Sequence, residues 1–236
     1  MAFTIIGVDF AYTLSSLLVL AEKGVTDFKL VTPDFQAGEH KAKPHTDKCP
    51  FGTVPVLEDN GFILYGIAGF RAVTFTCLRL TLEAESRAIA RYLADKYRSV
   101  GPALIPEHGD SKAWALFEQF ASAEQANFDH FVQVLIAQKH YNPMRRLPTE
   151  PVIVEYFETK FREKLDIYDV ILGKQLYMGG NEFSLIDIFY MPQIGTLFKM
   201  GEGAFVTDRP NIKAWWERVT ARDSWKQYAT QATGAK

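Results

Sequence analysis

The hydrophobic pattern of this chain changes period once, near Tyr97, and that change requires two halves of different construction. Up to about Tyr97 short apolar runs alternate with helical stretches. Phe3-Thr4-Ile5-Ile6-Gly7 reads as a strand, Tyr12 to Lys23 as a helix closed by Gly24, and Asp27 to Val31 as a second strand. Val54 to Leu57 and Phe62 to Tyr65 read as two further strands, followed by a helix over Glu85 to Tyr97. Strand, helix, strand, hairpin and helix is an α/β order, and strands this short predict a small mixed sheet. Gly101, Pro102 and Pro106 mark residues 98–108 as a linker between residues 1–97 and residues 109–236. Beyond it only helical spacing remains. Trp114, Phe117, Phe120, Ala121 and Glu124 share one face, as do Val154, Phe157, Phe161, Leu165, Tyr168 and Leu172. Further helices start near Ser184 and near Pro210, the latter with Trp215, Trp216 and Val219 on its apolar face. The second half is therefore expected to be all-α.

Charge excludes some partners. With 26 Lys+Arg against 28 Asp+Glu, the 236 residues carry a formal net charge of −2, which gives no electrostatic case for nucleic acid. Two cysteines, Cys49 and Cys77, cannot staple a disulfide scaffold, and no basic-then-apolar leader is seen, so the expected setting is reduced and cytoplasmic. No apolar run approaches the roughly 20 residues that span a bilayer, so no membrane role is expected. No metal ligand set is expected either.

Four short motifs carry chemistry. Ser184-Leu185-Ile186-Asp187 is a helix-start signature, because the Ser184 hydroxyl accepts from first-turn amides while the Asp187 carboxylate reaches back. Thr53-Val54-Pro55-Val56 places a proline at the head of a strand. A cis Val54-Pro55 bond would turn the Val54 amide and carbonyl toward a ligand's backbone, while a trans edge proline is the commoner arrangement. In Gly38-Glu39-His40-Lys41 the adjacent His40 and Lys41 suit a terminal carboxylate, or form a solvated charge cluster. Glu85-Ser86-Arg87 opens a helix where Ser86 suits a second carboxylate and Glu85 an ammonium group, with ordinary capping as the plain alternative. Taken together, they describe a ligand with two carboxylates, an amine and an extended peptide backbone.

These residues resemble a known family. Gly38-Glu39-His40-Lys41, Pro50-Phe51-Gly52-Thr53-Val54-Pro55-Val56-Leu57, Phe62-Ile63-Leu64-Tyr65, Glu85 to Leu93 and Ser184-Leu185-Ile186-Asp187 are similar to those of cytosolic glutathione transferases of the phi-like plant and fungal type. The resemblance covers residues 1–65 and 85–232. It implies a thioredoxin-like N-terminal domain, an all-helical C-terminal domain that walls the electrophile pocket, a homodimer, and glutathione as co-substrate added to a hydrophobic electrophile in detoxification. It further implies that His40 and Lys41 bind the glycine carboxylate, that Val54 pairs with the cysteinyl backbone ahead of a cis Pro55, and that Glu85 and Ser86 hold the γ-glutamyl end. It also places Thr53 among the glutathione-binding residues, where the family commonly has Gln, so that an amide contact is lost.

The thiol-activating position departs from the pattern. Such enzymes place a hydroxyl, usually Ser, at the N-terminus of the first helix, where donation and the helix dipole favour thiolate. Counting from Gly7 puts Ala11 there, and counting back from Glu22-Lys23 puts Phe10 there. Neither has a hydroxyl. Tyr12 and Thr13 come next, and Tyr12 is the expected catalytic group ahead of Thr13 because a phenol is the better donor. Ser15 and Ser16 lie one turn deeper.

A second departure is an insertion. In the family the last strand runs directly into Glu-Ser-Arg, whereas here the 19 residues 66–84 intervene. So long a loop inside a compact domain is uncommon. The codons of Gly66-Ile67 admit an intron donor and those of Ala84-Glu85 an acceptor; excision keeps the frame and regenerates Tyr65-Glu85-Ser86-Arg87. The hypothesis is that residues 66–84 are a translated unspliced intron, and cDNA in which every transcript retains the segment would refute it. Val73 to Leu82 alternates well enough to predict a strand. Three functional readings follow in order: a glutathione transferase, a non-catalytic glutathione-binding relative lacking the activating hydroxyl, and a redox protein using Cys49.

Overall fold

A computed structural model describes residues 3–66 and 86–233. Strands β1 (Phe3–Ile6), β2 (Phe28–Val31), β3 (Val56–Asp59) and β4 (Phe62–Tyr65) form one sheet in the order β2-β1-β3-β4. β1 and β2 are parallel, joined through helix α1 (Ala11–Glu22), while β3 runs antiparallel to β1 and β4 to β3. This is the expected small mixed sheet. β3 starts two residues later than the apolar run suggested, because Pro55 has no N–H to give a ladder. Phe3, Ile5 and Leu57 of the sheet are buried with Leu14, Leu17 and Leu18 of α1 and Ile89, Ala90 and Leu93 of helix α3 (Ser86–Lys96) in one core. A short helix α2 (His45–Lys48) stands in the β2–β3 connection. The expected strand over 73–82, together with Cys77 and Glu85, lies outside the described residues.

From Ser111 onward the described chain is helical. Helices α4 (Ser111–Glu124), α5 (His130–Ile136) and α6 (Asn142–Met144) form one run interrupted by π-turns at Gln125–Asp129 and Ala137–Tyr141. The Asp110 carboxylate caps its start by accepting from the Ala113 amide at 2.9 Å. Helix α7 (Pro151–Leu172) buries Phe157, Phe161, Leu165, Tyr168 and Leu172 of the face read from the sequence, with Ile153 and not Val154 buried in its first turn. Helix α8 (Leu185–Lys199) is the central post of this half, buried on nearly every side. Helices α9 (Ala204–Thr207), α10 (Pro210–Thr220) and α11 (Asp223–Thr233) complete the bundle. α11 is tied back to α1 by Arg222, whose Nε and Nη2 donate to Glu22 at 2.7 and 2.6 Å.

The expected capping box is formed. Ser184 accepts from the Ile186 amide at 3.3 Å, and Asp187 accepts from the Ser184 amide at 2.9 Å. Asp187 also accepts from the Met178 amide at 2.9 Å and from the Trp215 indole at 2.8 Å, so one buried carboxylate joins α8, α10 and the turn before α8. Burial pushes its pKa up to about 6, against the pull of those donors.

Candidate active site

The register of the sheet brings the sequence motifs together. Ile6 stands opposite Val56, so the turn from β1 into α1 runs beside Val54-Pro55 at the head of β3. The Val54-Pro55 bond is cis. Neither the amide nor the carbonyl of Val54 takes a hydrogen-bond partner among the described residues, so both are open to a ligand backbone. The Pro55 carbonyl accepts the Gly66 amide at 2.7 Å.

His40 and Lys41 sit on a 3₁₀ turn (Glu39–Lys41) entered through Gly38, whose φ is 74°. The His40 ring lies 4.8 Å from that of Phe35, and its Nδ1 is buried with no hydrogen-bond partner among the described residues. Burial, with Lys41 and His45 nearby, holds its pKa below the usual histidine range. Lys41 donates from Nζ to the carbonyls of Phe51 at 3.1 Å and Gly52 at 2.6 Å, which fixes the turn against the loop before β3. Only glycine fits at 52: its φ is 60°, and a Cβ there would lie 2.6 Å from the His40 carbonyl oxygen.

Thr53 turns inward. Its hydroxyl donates to the Gly66 carbonyl at 2.9 Å and contacts the buried Cys49 sulfur at 3.3 Å, while its own carbonyl pairs with His45 Nε2 at 2.8 Å. This side chain secures the loop and Gly66 rather than offering itself to a ligand. Cys49 is equally enclosed, which removes the accessible thiol that a redox role requires.

The expectation for Tyr12 and Thr13 is corrected by the structure. α1 begins at Ala11, so both residues fall inside its first turn and face the interior. Tyr12 is 6% exposed, and its hydroxyl donates to Asp129 at 3.1 Å. Burial and that carboxylate raise the phenol well above its ordinary pKa. Thr13 is 1% exposed and lies against Gly7. What remains at the helix start is backbone: Phe10 is the N-cap in an extended conformation, with no side-chain cap on the first-turn amides. Uncapped amides at the positive end of a helix of this length favour an anion such as a thiolate.

Ser86 opens α3 and is buried. Glu85 lies outside the described residues. The next residue, Arg87, heads a cluster that the sequence analysis did not find. It donates from Nε and Nη2 to Glu124 at 2.7 Å each, and Nη2 stands 3.2 Å from Asp129. Tyr12 of α1, Arg87 of α3 and Glu124 and Asp129 at the π-turn thus form one buried network joining the sheet half to the helical half. The signal available was weak, namely an arginine beside Ser86 and two acids flanking Phe128.

Among the described residues no three His, Cys, Asp or Glu side chains gather as a metal site, and no helix is long and apolar enough to cross a membrane.

Comparison with known proteins gives the same architecture. The family model for the glutathione S-transferase N-terminal domain matches residues 4–65, and that for the glutathione S-transferase C-terminal domain matches residues 135–223. Glutathione S-transferase PM239X14 of Arabidopsis thaliana is 34% identical over 212 residues, 89% of this chain and 88% of its own length. Glutathione S-transferase hmp2 of Hypomyces subiculosus is 33% identical, covering 93% of this chain and 94% of its own. Among solved structures, glutathione transferase F7 of Populus trichocarpa superposes with a TM-score of 0.83 at 30% identity, covering 98% of this chain and 99% of that one. The sheet half is thioredoxin-like and the second half is the helical domain seen in those structures.

Proposed function

Because the chain belongs to the glutathione S-transferase family, we propose that it adds the thiol of glutathione to hydrophobic electrophiles, as a cytoplasmic homodimer acting in detoxification. The observation that carries this reading is the uncapped N-terminus of α1 beside the open Val54 backbone. An extended peptide paired with Val54 has its cysteinyl sulfur directed at the first-turn amides. His40, with its free Nδ1, receives the glycine carboxylate; Lys41 adds charge while holding the turn; Ser86 meets the γ-glutamyl carboxylate at the start of α3.

In the reaction the thiol releases its proton to solvent and the thiolate attacks an electrophilic carbon. With an aryl halide the C–S bond forms and the carbon–halogen bond breaks, halide leaving. The helix dipole and backbone N–H groups stabilise the thiolate, in place of a side-chain hydroxyl. Exposed Phe51, with its ring 6.1 Å from that of Tyr65, supports self-association on the neighbouring edge.

A second reading, a glutathione-binding relative without turnover, is favoured by Ala11 at the head of α1. Calorimetric titration of glutathione together with turnover of 1-chloro-2,4-dinitrobenzene separates the two. Binding with turnover supports the transferase, binding without turnover supports the relative, and no binding refutes both.

A further inference from the structure

A cavity of about 420 Å³ lies between the linker, α4 and the turn before α8. Leu104 and Ile105 of the linker, Leu116 and Phe117 of α4, and Phe183 and Ile186 around the start of α8 form its walls, and no residue of the candidate glutathione site is among its lining. The Leu185 amide donates to the Leu104 carbonyl at 2.8 Å, which fixes the linker wall to the start of α8. Leu104, Phe117 and Ile186 are buried, whereas Leu116 is 54% exposed, so the apolar surface reaches solvent along α4. The size suits a small organic ligand, for which sites run from about 300 to 1,000 Å³.

The charge of this cavity is one-sided. Of its polar side chains, Asn181 accepts the Leu176 amide on Oδ1 at 3.2 Å and Ser184 accepts the Ile186 amide at 3.3 Å. Glu182 is exposed, and its side chain takes no ion pair and no hydrogen bond among the described residues. Arginines that touch the walls are each balanced by an acid of their own. Arg222 lies 3.9 Å from the centre of the Phe183 ring and pairs with Glu22 at 2.6 Å. Arg91 lies 5.6 Å from that of Phe117 and pairs with Glu118 at 3.3 Å, and Arg98 donates to the Pro106 carbonyl at 2.7 Å and pairs with Asp95 at 2.8 Å. The uncompensated charge in the lining is therefore the Glu182 carboxylate.

We propose that this cavity is a second ligand site, separate from the glutathione site, for a hydrophobic ammonium compound whose apolar body lies against Leu104, Leu116 and Phe117 while its ammonium pairs with Glu182. The proposal stands independently of the transferase reading. An amine with an apolar body matches both features at once: the walls supply contact area, and the carboxylate supplies a charge-assisted hydrogen bond that salt weakens. A neutral ligand of the same shape uses only the first, and an anion is repelled.

The test is calorimetric titration of the full chain with 1-naphthylmethylamine, an ammonium at neutral pH, and with 1-naphthylmethanol, its neutral counterpart, in the wild type, in Glu182→Gln and in Leu116→Ser. The amine is expected to bind the wild type about fivefold more tightly than the alcohol, and to lose that advantage in Glu182→Gln and with added salt. Leu116→Ser, which removes an apolar wall and leaves the charge, should weaken both ligands alike. Saturating glutathione should leave the Kd of the amine unchanged. No binding of the amine, equal affinity of amine and alcohol in the wild type, or an amine Kd unmoved in Glu182→Gln each overturns the proposal. Competition with glutathione also overturns it, by moving the amine to the cleft at α1. If the amine fails to bind and Leu116→Ser instead changes the mass of the chain in light scattering, the face is a surface for a second copy and the proposal is wrong.

Discussion

Gly66 rests against Ser86 so closely that a Cβ built on Gly66 would lie 2.6 Å from the Ser86 backbone nitrogen. The chain therefore leaves β4 and begins α3 at nearly one point, although residues 67–85 separate the two positions in sequence. Gly66 also uses its backbone fully, its N–H on Pro55 and its carbonyl on Thr53. It stands where a residue directly preceding Ser86 would stand. Removing residues 66–84 is expected to put Glu85 into that place with the same two backbone bonds, its carboxylate there for the ammonium of glutathione. The expected outcome is a glutathione Kd about tenfold lower, corresponding to roughly 1.4 kcal/mol, read by calorimetry on the two proteins. Equal affinities would show that the segment does not perturb the site. Cloned cDNA lacking the codons for 66–84 would establish the segment as an unspliced remnant.

Ala11→Ser should add the missing donor where the helix dipole is already open. A hydroxyl at this position is expected to lower the pKa of bound glutathione by about one unit, which raises the thiolate fraction, and with it kcat, about tenfold at pH values below that pKa. The pH–rate profile should move to lower pH as a whole. A profile that keeps its midpoint while kcat rises would assign the gain to some other step.

The elements were largely legible in the sequence because their causes are local. The α7 face repeats at helical spacing from Ile153 to Leu172, and the Ser184–Asp187 cap is completed within one turn. His40, Val54 and Ser86 were singled out as candidate binding groups through the resemblance and not through any periodic signal of their own. Tyr12 was misread because its partner is remote: Asp129 is 117 positions away, and nothing near Tyr12 shows that its hydroxyl points inward. For Thr53 the partners are near in sequence, Cys49 and Gly66, but only the folded loop shows that its hydroxyl turns toward them. The two π-turns and α11 gave no periodic signal strong enough to place them.

Asp187 is a stability determinant whose effect should exceed that of an ordinary cap. Asp187→Ala leaves the amides of Met178 and Ser184 and the Trp215 indole without their acceptor, all at or near the core. A loss of roughly 3 kcal/mol or more is expected from the urea midpoint, against about 1 kcal/mol for a solvent-exposed cap. Asp187→Asn, which keeps one acceptor oxygen, should fall between the two.

Phe51 is 54% exposed and reaches out from the loop that Lys41 fastens. Phe51→Ser should weaken self-association at least tenfold, as expected for an aromatic anchor, with little change in monomer stability. Light scattering over a dilution series checks this, and identical masses for both proteins at every concentration would remove Phe51 from the interface.

Glu124 should make stability depend on pH in the direction opposite to that of a typical salt-bridged acid. One guanidinium, Arg87, serves two buried carboxylates, Glu124 and Asp129, and Asp129 is further supported by donors from Tyr12 and Gln133. The surplus negative charge falls on Glu124, whose pKa is pushed up to about 7 by burial first and then by Asp129, with Arg87 pulling the other way. Arg87 itself stays cationic, because both acids favour its charge. In the unfolded chain Glu124 returns to about 4.5. The native state thus binds the extra proton between those values, so the Glu124 contribution is fully present below about pH 4.5 and is lost as pH rises toward 7. Glu124→Gln keeps the shape without titrating. Measured by urea midpoints at intervals across that range, the wild type should lose up to about 3 kcal/mol relative to Glu124→Gln as pH rises. Parallel pH curves for the two proteins would place the proton elsewhere in the network.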